Sequence, residues 1–296
     1  DNAIIKIKNH KDSGMQTMTK KIVILGGTGF IGRFLQDYLS RKGHHVTAYG
    51  RAAFVPDFDL AAVLEQQDVL IMLAGENVGQ RWSAAYKKAL VESRTETNAR
   101  LQKALASCEQ PPKQIVSASA IGFYPENRCE QPLDESCDTA GSGFLGQLAQ
   151  QWEAASLALT PTPVIVRFGV VLGQNGGALK KMLPAFKFGL GGPIAGGQQC
   201  FSWIHIQDLA KALSFLIEQP QHQGVFNLTA PNPISSNTFG KTLASTLKRP
   251  FWLPLPEFQL KLMFGEGAQV LTHSSAIIPK RLMAAGFRFD YPDIKP

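Results

Sequence analysis

Lys21-Ile22-Val23-Ile24-Leu25 runs straight into Gly26-Gly27-Thr28-Gly29-Phe30-Ile31-Gly32, and this junction limits the possible folds more than any other stretch. A short continuous apolar run ending in glycines reads as a strand covered on both faces, as in a parallel sheet. Ile31, Phe34, Leu35, Tyr38 and Leu39 then recur at helical spacing, and Gly43 stops the helix. In such a strand–turn–helix unit Gly26 permits the tight turn, Gly29 lets backbone approach a diphosphate, and Gly32 lets the helix pack on the strand. The free N–H groups and positive dipole end of the helix face the same place. Gly26, Gly27, Thr28, Gly29, Phe30, Ile31 and Gly32 are therefore the expected dinucleotide cradle; a tight turn without ligand is the plainer alternative.

The end of the second strand decides which dinucleotide suits the cradle. An acidic residue about 20 residues past the loop would hold the ribose hydroxyls of NAD. After His45-Val46-Thr47-Ala48-Tyr49 this chain has Gly50-Arg51, and its next acidic residue is Asp57. A guanidinium suits a 2′-phosphate through bidentate, charge-assisted hydrogen bonds. Arg51 thus favours NADP(H) over NAD(H), against the alternative of a solvated loop arginine.

Strand and helix patterns continue to alternate, with strands at 69–73, 114–117 and 163–168 and helices from Ser83 to about Ala106 and from about Gly143 to Leu159. That alternation predicts an α/β, doubly wound parallel sheet of the Rossmann type. From Gly169 glycines and prolines accumulate, as in loops around a cleft. Residues 18–172, with 201–230 returning to them, are expected to form the dinucleotide-binding domain, and 173–200 with 231–296 a smaller cap lobe. Residues 1–17 are polar, precede Met18, and read as a tag or upstream extension.

The formal net charge of +7 is scattered, without a block of like charges, so nucleic acid is not an expected partner and an anionic small molecule is. No apolar run reaches the ~18 residues needed to span a bilayer, and no membrane partner is expected. Cys108, Cys129, Cys137 and Cys200 match neither a disulfide framework nor a metal site, so a reducing cytoplasm is the expected setting.

Several motifs together resemble a known family. They include the Gly26–Gly32 loop, Leu73-Ala74-Gly75-Glu76-Asn77 with Arg81-Trp82, Ser93-Arg94, and Ser117-Ala118-Ser119-Ala120-Ile121-Gly122-Phe123-Tyr124. Trp152-Glu153, Arg167-Phe168-Gly169-Val170-Val171, Trp203-Ile204-His205-Ile206-Gln207-Asp208 and Pro279-Lys280-Arg281-Leu282 extend the match. The combination resembles the extended short-chain dehydrogenase/reductases, in the atypical branch known as the NAD-dependent epimerase family or nucleoside-diphosphate-sugar epimerase-like; some members are called cell division inhibitors. The resemblance implies that Leu73, Ala74 and Gly75 line the adenine and ribose side of the cofactor, and Phe168, Gly169, Val170 and Val171 the nicotinamide side. Plain strand-end packing explains the same residues. Where the branch shows Ser-Gln-Arg, this chain has Ser274-Ser275-Ala276.

Typical members transfer a proton with a Tyr-x-x-x-Lys pair. Here those positions are Phe144 and Leu148, which can neither transfer a proton nor supply charge. Ser119 matches the serine that hydrogen-bonds substrate oxygen, and Tyr124 is the candidate replacement acid/base; the alternative is that both only pack and satisfy neighbours. Arg81, Trp82 and Trp203 are candidate substrate contacts, with a helix cap and a packed indole as the alternative for the first two. His205 reads as structural and Asp208 as the cap of the next helix. Two functions follow: an NADP(H)-dependent, epimerase-like oxidoreductase acting on a small substrate such as a nucleotide sugar, or a non-catalytic NADP(H)-binding regulator or redox sensor.

Overall fold

The computed structural model describes residues 18–295; the stretch read as a tag, 1–17, lies outside them. The chain begins with β1 (Lys21–Leu25), α1 (Phe30–Arg41), β2 (His45–Tyr49), α2 (Leu60–Leu64), β3 (Val69–Met72), α3 (Ala84–Ser107) and β4 (Gln114–Ala120). It continues through α4 (Phe144–Leu157), β5 (Val164–Phe168), β6 (Val170–Gly173), α5 (Gly177–Lys187), β7 (Cys200–Phe201) and β8 (Trp203–His205). Then come α6 (Ile206–Glu218), β9 (Val225–Leu228), β10 (Ile234–Ser235), α7 (Ser236–Thr246), α8 (Glu257–Phe264), α9 (Gln269–Thr272) and α10 (Lys280–Ala284).

Six strands form one parallel sheet in the order β2-β1-β3-β4-β5-β9. Every residue of β3, and Ile22 to Leu25 of β1, is buried, which is why those strands read as unbroken apolar runs. Alternate side chains feed two cores. Ile22, Ile24 and Ile71 pack with Leu35 and Leu39 of α1 and Leu209, Leu213 and Ile217 of α6, whereas Val23, Leu25 and Leu70 pack with Leu60, Leu64, Leu101 and Leu105 of α2 and α3. The strand order reverses between β1 and β3, and in open α/β sheets the crevice beyond the carboxyl ends at such a reversal is where ligands bind.

Residues 200–205 form two short strands rather than one. β7 pairs with β10 and β8 with β6, and among these later strands only β9 joins the central sheet. α6 begins before Asp208: His205 is its N-cap, accepting from the Gln207 amide at 3.3 Å. Asp208 is fully buried and instead accepts the backbone amides of Asp290 and Tyr291, each at 2.8 Å. The reading of Asp208 as a cap is thus corrected, because its partners return from 82 and 83 residues away.

The cysteine reading is corrected too. Cys129 and Cys200, 71 residues apart, form a disulfide, while Cys108 and Cys137 are free thiols. The pairing arises where the loop after β4 meets β7, a juxtaposition without local spacing to betray it. Among the described residues no helix is long and apolar enough to cross a membrane.

Candidate functional site

The glycine loop is held from below. The amides of Gly26 and Gly27 both donate to the Tyr49 carbonyl at 2.8 Å, so the turn is pinned to the end of β2. Gly26 has φ +88°, and a Cβ there would lie 2.7 Å from the Leu73 and Ala74 backbone. A Cβ on Gly32 would lie 2.5 Å from Gly27 Cα, so this glycine seats α1 on the loop itself rather than on the strand. Gly29 differs: it is exposed, and a Cβ there would meet only the Gly26 carbonyl at 3.3 Å. Its open side is toward solvent, not protein.

Gly29 is also the N-cap of α1, with no side-chain cap and no acidic residue in the first turn. First-turn amides have no intrahelical acceptor, and together with the helix dipole they form a site for negative charge. An uncapped 12-residue helix opening on a side-chain-free turn fits a diphosphate. Thr28 is exposed and packs beside Gly50: its Oγ1 lies 2.7 Å from where a Gly50 Cβ would stand. Arg51 follows immediately, in a turn of 3-10 helix, with its side chain 87% exposed and 3.2 Å from Glu76. So exposed an ion pair contributes little, which leaves Arg51 free to exchange Glu76 for a phosphate at the same rim.

Phe30 closes another side. Its ring rests where Cβ atoms on Gly173, Gly176 or Gly177 would collide, at 2.8, 2.3 and 3.1 Å. The Gly176-Gly177 pair was legible only as loop composition; its physical purpose is to admit this ring. Ile31 packs into the core beneath. Leu73 and Ala74 also support the turn, and Gly75 is overlaid by Arg94, whose guanidinium carbon is 3.1 Å from a would-be Cβ. Arg94 donates to the carbonyls of Glu76 at 3.0 Å and Leu90 at 2.8 Å and stacks 4.6 Å from the Trp152 ring. Burial lowers its pKa to about 10. Arg94 therefore fixes the 75–76 segment.

Beyond the cradle, the side chains suggested for proton transfer are each engaged with buried partners. Ser119 is 1% exposed, and its hydroxyl donates to Glu153 Oε1 at 2.6 Å. Glu153, on α4, receives a bidentate pair from Arg167 of β5, both bonds 2.7 Å. Arg167 is the register partner of Ser119, and its guanidinium lies 3.5 Å from the Phe123 ring centroid and 4.8 Å from that of Tyr124. Burial opposes the charge on Arg167, but the bonds it donates to the Glu153 carboxylate more than offset this and hold its pKa up. This network closes on itself.

Tyr124 has no exposed surface, and its hydroxyl donates to Asn227 Oδ1 at 2.8 Å. Burial raises its pKa. The suggested acid/base is corrected to a core tyrosine, because the loop after β4 folds inward over β5 and β9 instead of staying at the surface. Tyr124→Phe is expected to cost about 1–2 kcal/mol in urea unfolding by orphaning Asn227, with nucleotide affinity unchanged. At the two positions of the absent pair, Phe144 meets Trp82 edge-on at 5.0 Å and Leu148 is buried.

Arg81 and Trp82 take the cap-like alternative. Arg81 donates to the carbonyls of Leu262 at 2.5 Å and Met263 at 3.4 Å, at the end of α8. Trp82 is 5% exposed and donates to Val78 at 2.9 Å. They brace the cap lobe rather than face a substrate: the two Arg81 partners lie 181 and 182 residues away, and the Trp82 amide donates to the Phe264 carbonyl at 3.2 Å. Trp203 is buried in β8 beside Leu172, Ala230 and Phe239, and its Nε1 has no partner among the described residues. Val170 and Val171 pair with Trp203 and Ile204, Phe168 packs on the central core, and Gly169 leaves room for the Ser202 carbonyl and Thr229. Sequence reading missed the Glu153–Arg167 pair, although opposite charges inside an apolar strand and helix were the signal for it.

The model of the NAD dependent epimerase/dehydratase family matches residues 22–229, and that of a domain of unknown function, DUF1731, matches 255–296. The chain is 36% identical over 290 residues to epimerase family protein YfhF of Bacillus subtilis, covering 93% of this chain and 95% of that protein. It is also 36% identical over 284 residues to human epimerase family protein SDR39U1, covering 93% and 97%. The crystal structure of human SDR39U1 (isoform2) with NADPH superposes with a TM-score of 0.85 at 36% identity, over 93% of this chain and 96% of that one. The nucleoside-diphosphate sugar epimerase of Corynebacterium glutamicum gives a TM-score of 0.74 at 29% identity, over 93% of this chain and 56% of that one.

Proposed function

The chain belongs to the NAD dependent epimerase/dehydratase family, and from that premise we propose that it is an NADP(H)-dependent oxidoreductase of epimerase-like type acting on a small substrate. The observation that carries the reading is the uncapped head of α1 behind Gly29, with Arg51 at its rim. Human SDR39U1, crystallised with NADPH, supports the same cofactor. The first-turn amides and Thr28 hold the diphosphate, and Arg51 takes the 2′-phosphate in place of Glu76. Gly26, Gly27, Gly32, Leu73, Ala74 and Gly75 shape the cradle, and Phe30 closes the side toward Gly173 and Gly176. Bound NADP(H) would supply hydride exchange. The chain's own residues orient the nucleotide and exclude water.

Proton handling in this reading falls to the substrate or to water, since Ser119 donates to Glu153, Tyr124 to Asn227, and Phe144 and Leu148 have no proton to give. Those same engagements favour a second reading, a nucleotide-responsive regulator without turnover. Turnover of NADPH with any carbonyl substrate separates the two.

The cofactor assignment has a direct test. NADPH is expected to raise the unfolding temperature more than NADH at equal concentration. Arg51→Ala should erase that preference, lowering NADPH affinity about tenfold or more, which corresponds to ~1.4 kcal/mol, while leaving NADH affinity alone. An unaltered preference in the variant would refute the role of Arg51.

A further inference from the structure

The charge of this chain is not evenly placed once it is folded. Segments 173–200 and 231–256 hold Lys180, Lys181, Lys187, Lys241, Lys248 and Arg249 and not one Asp or Glu. Both segments contribute to one surface of the cap lobe. The Trp252 amide donates to the Gly191 carbonyl at 2.9 Å, its indole donates to the Gly189 carbonyl at 3.1 Å, and Gly191 bridges to Phe251. Pro250 lies 3.5 Å from where a Cβ on Gly189 would stand. Residues 188–191 and 250–253 thus run side by side.

What they present is apolar and bare. Phe188 is 81% exposed, Trp252 62% and Leu190 52%. Large side chains are seldom left so open together without a partner. Lys187, Lys248 and Arg249, all exposed, flank them in sequence. Aromatic and aliphatic tips with exposed cations beside them in the chain are the pattern that seats a protein on a lipid headgroup layer, where apolar tips enter the acyl boundary and cations meet anionic headgroups.

We propose that this surface docks peripherally on an anionic phospholipid bilayer, with Phe188, Leu190 and Trp252 entering the interface and Lys187, Lys248 and Arg249 on the headgroups. A second copy of the chain fits less well, because a two-fold contact through this patch would bring like charges together. Single-stranded nucleic acid fits less well too, since Leu190 and its neighbour Leu253 offer no stacking face. The expectation of no membrane partner rested on the lack of a spanning run, and it is silent about a docked face.

Co-sedimentation of the full chain with phosphatidylcholine vesicles, with and without phosphatidylserine, tests the proposal. Trp82, Trp152 and Trp203 are buried, so any change in indole emission on binding comes from Trp252. Binding to the phosphatidylserine vesicles with a blue shift is expected, weaker by about tenfold or more without that lipid. Reversing the border by Lys187→Glu, Lys248→Glu and Arg249→Glu should abolish it, as should Phe188→Ser with Leu190→Ser. Trp252→Phe should keep the binding and lose the shift. Circular dichroism and urea unfolding confirm that each variant is folded. Absence of binding by the wild-type chain would overturn the proposal, and so would binding indifferent to charge reversal. Sedimentation as a dimer that Leu190→Glu dissociates, with no vesicle binding, would assign the patch to a second copy instead.

Discussion

Arg167→Ala is expected to lower the free energy of unfolding by about 3–5 kcal/mol, the effect of leaving a buried carboxylate without its countercharge. Arg167 and Glu153 are 4% and 7% exposed, and the bidentate pair between them is the only ion pair Glu153 makes among the described residues. Removing the guanidinium leaves Glu153 with the Ser119 hydroxyl alone. Replacing both charges by apolar side chains of similar volume, Glu153→Leu with Arg167→Met, should recover most of the loss, since it leaves neither charge stranded. Urea denaturation of the two variants measures this. A cost under about 1 kcal/mol for Arg167→Ala would mean that water reaches the pair. Ser119 would then be accessible to substrate as well, and the reading of a closed network would fail.

Gly29→Val separates the cradle from the fold. Gly29 has φ −74° and ψ 174°, a conformation open to any residue, and a Cβ there meets nothing nearer than 3.3 Å. The fold should be kept at a modest cost of about 1 kcal/mol, from the poorer N-cap and the contact with the Gly26 carbonyl. Nucleotide affinity should fall by about 100-fold, or ~2.7 kcal/mol, because the branched side chain occupies the space where a diphosphate must approach the amides. Gly32→Ala is the contrast: its Cβ would strike backbone at 2.5 Å, so stability and affinity fall together. Isothermal titration with NADPH alongside thermal unfolding reads both quantities for each variant.

Local features were legible in the sequence, and long-range ones were not. β1, the glycine turn and α1 are contiguous, so an apolar run, three spaced glycines and a helical repeat specify them without reference to the rest of the chain. Arg51 was legible for the same reason, since the end of β2 lies beside the turn in any fold of this class. Ser119 matched a motif, but its partner Glu153 sits on α4, 34 residues on, and only the packing of that helix over β4 and β5 brings the carboxylate to the hydroxyl. Motif alone gave Ser119 the wrong neighbour. Tyr124 illustrates the same limit: five residues past Ser119 it could face either way, and the fully buried Asn227 on β9 decides that it turns inward. Arg81, Trp82 and Asp208 read as rim and cap residues because their true partners, at 262–264 and 290–291, return to them only in the folded chain.

The absent Tyr-Lys pair acquires a physical sense here. Phe144 and Leu148 join Trp82 and Leu90 in one apolar cluster between α3 and α4. An ammonium at 148 would be buried at 4% exposure among these apolar side chains, whereas position 144 is half-buried, with the Lys87 ammonium 5.6 Å from the Phe144 ring centroid. Phe144 and Leu148 thus serve the packing of α4 on α3.

The proposed seat of the NADP(H) diphosphate is the set of backbone amides at the head of α1. Amide hydrogen exchange with and without NADPH tests it at those atoms. Slower exchange across peptides containing 28–33, joined by protection around Arg51, is expected. Stabilisation by NADPH with protection confined to other segments, leaving the turn after β1 as quick to exchange as before, would contradict it.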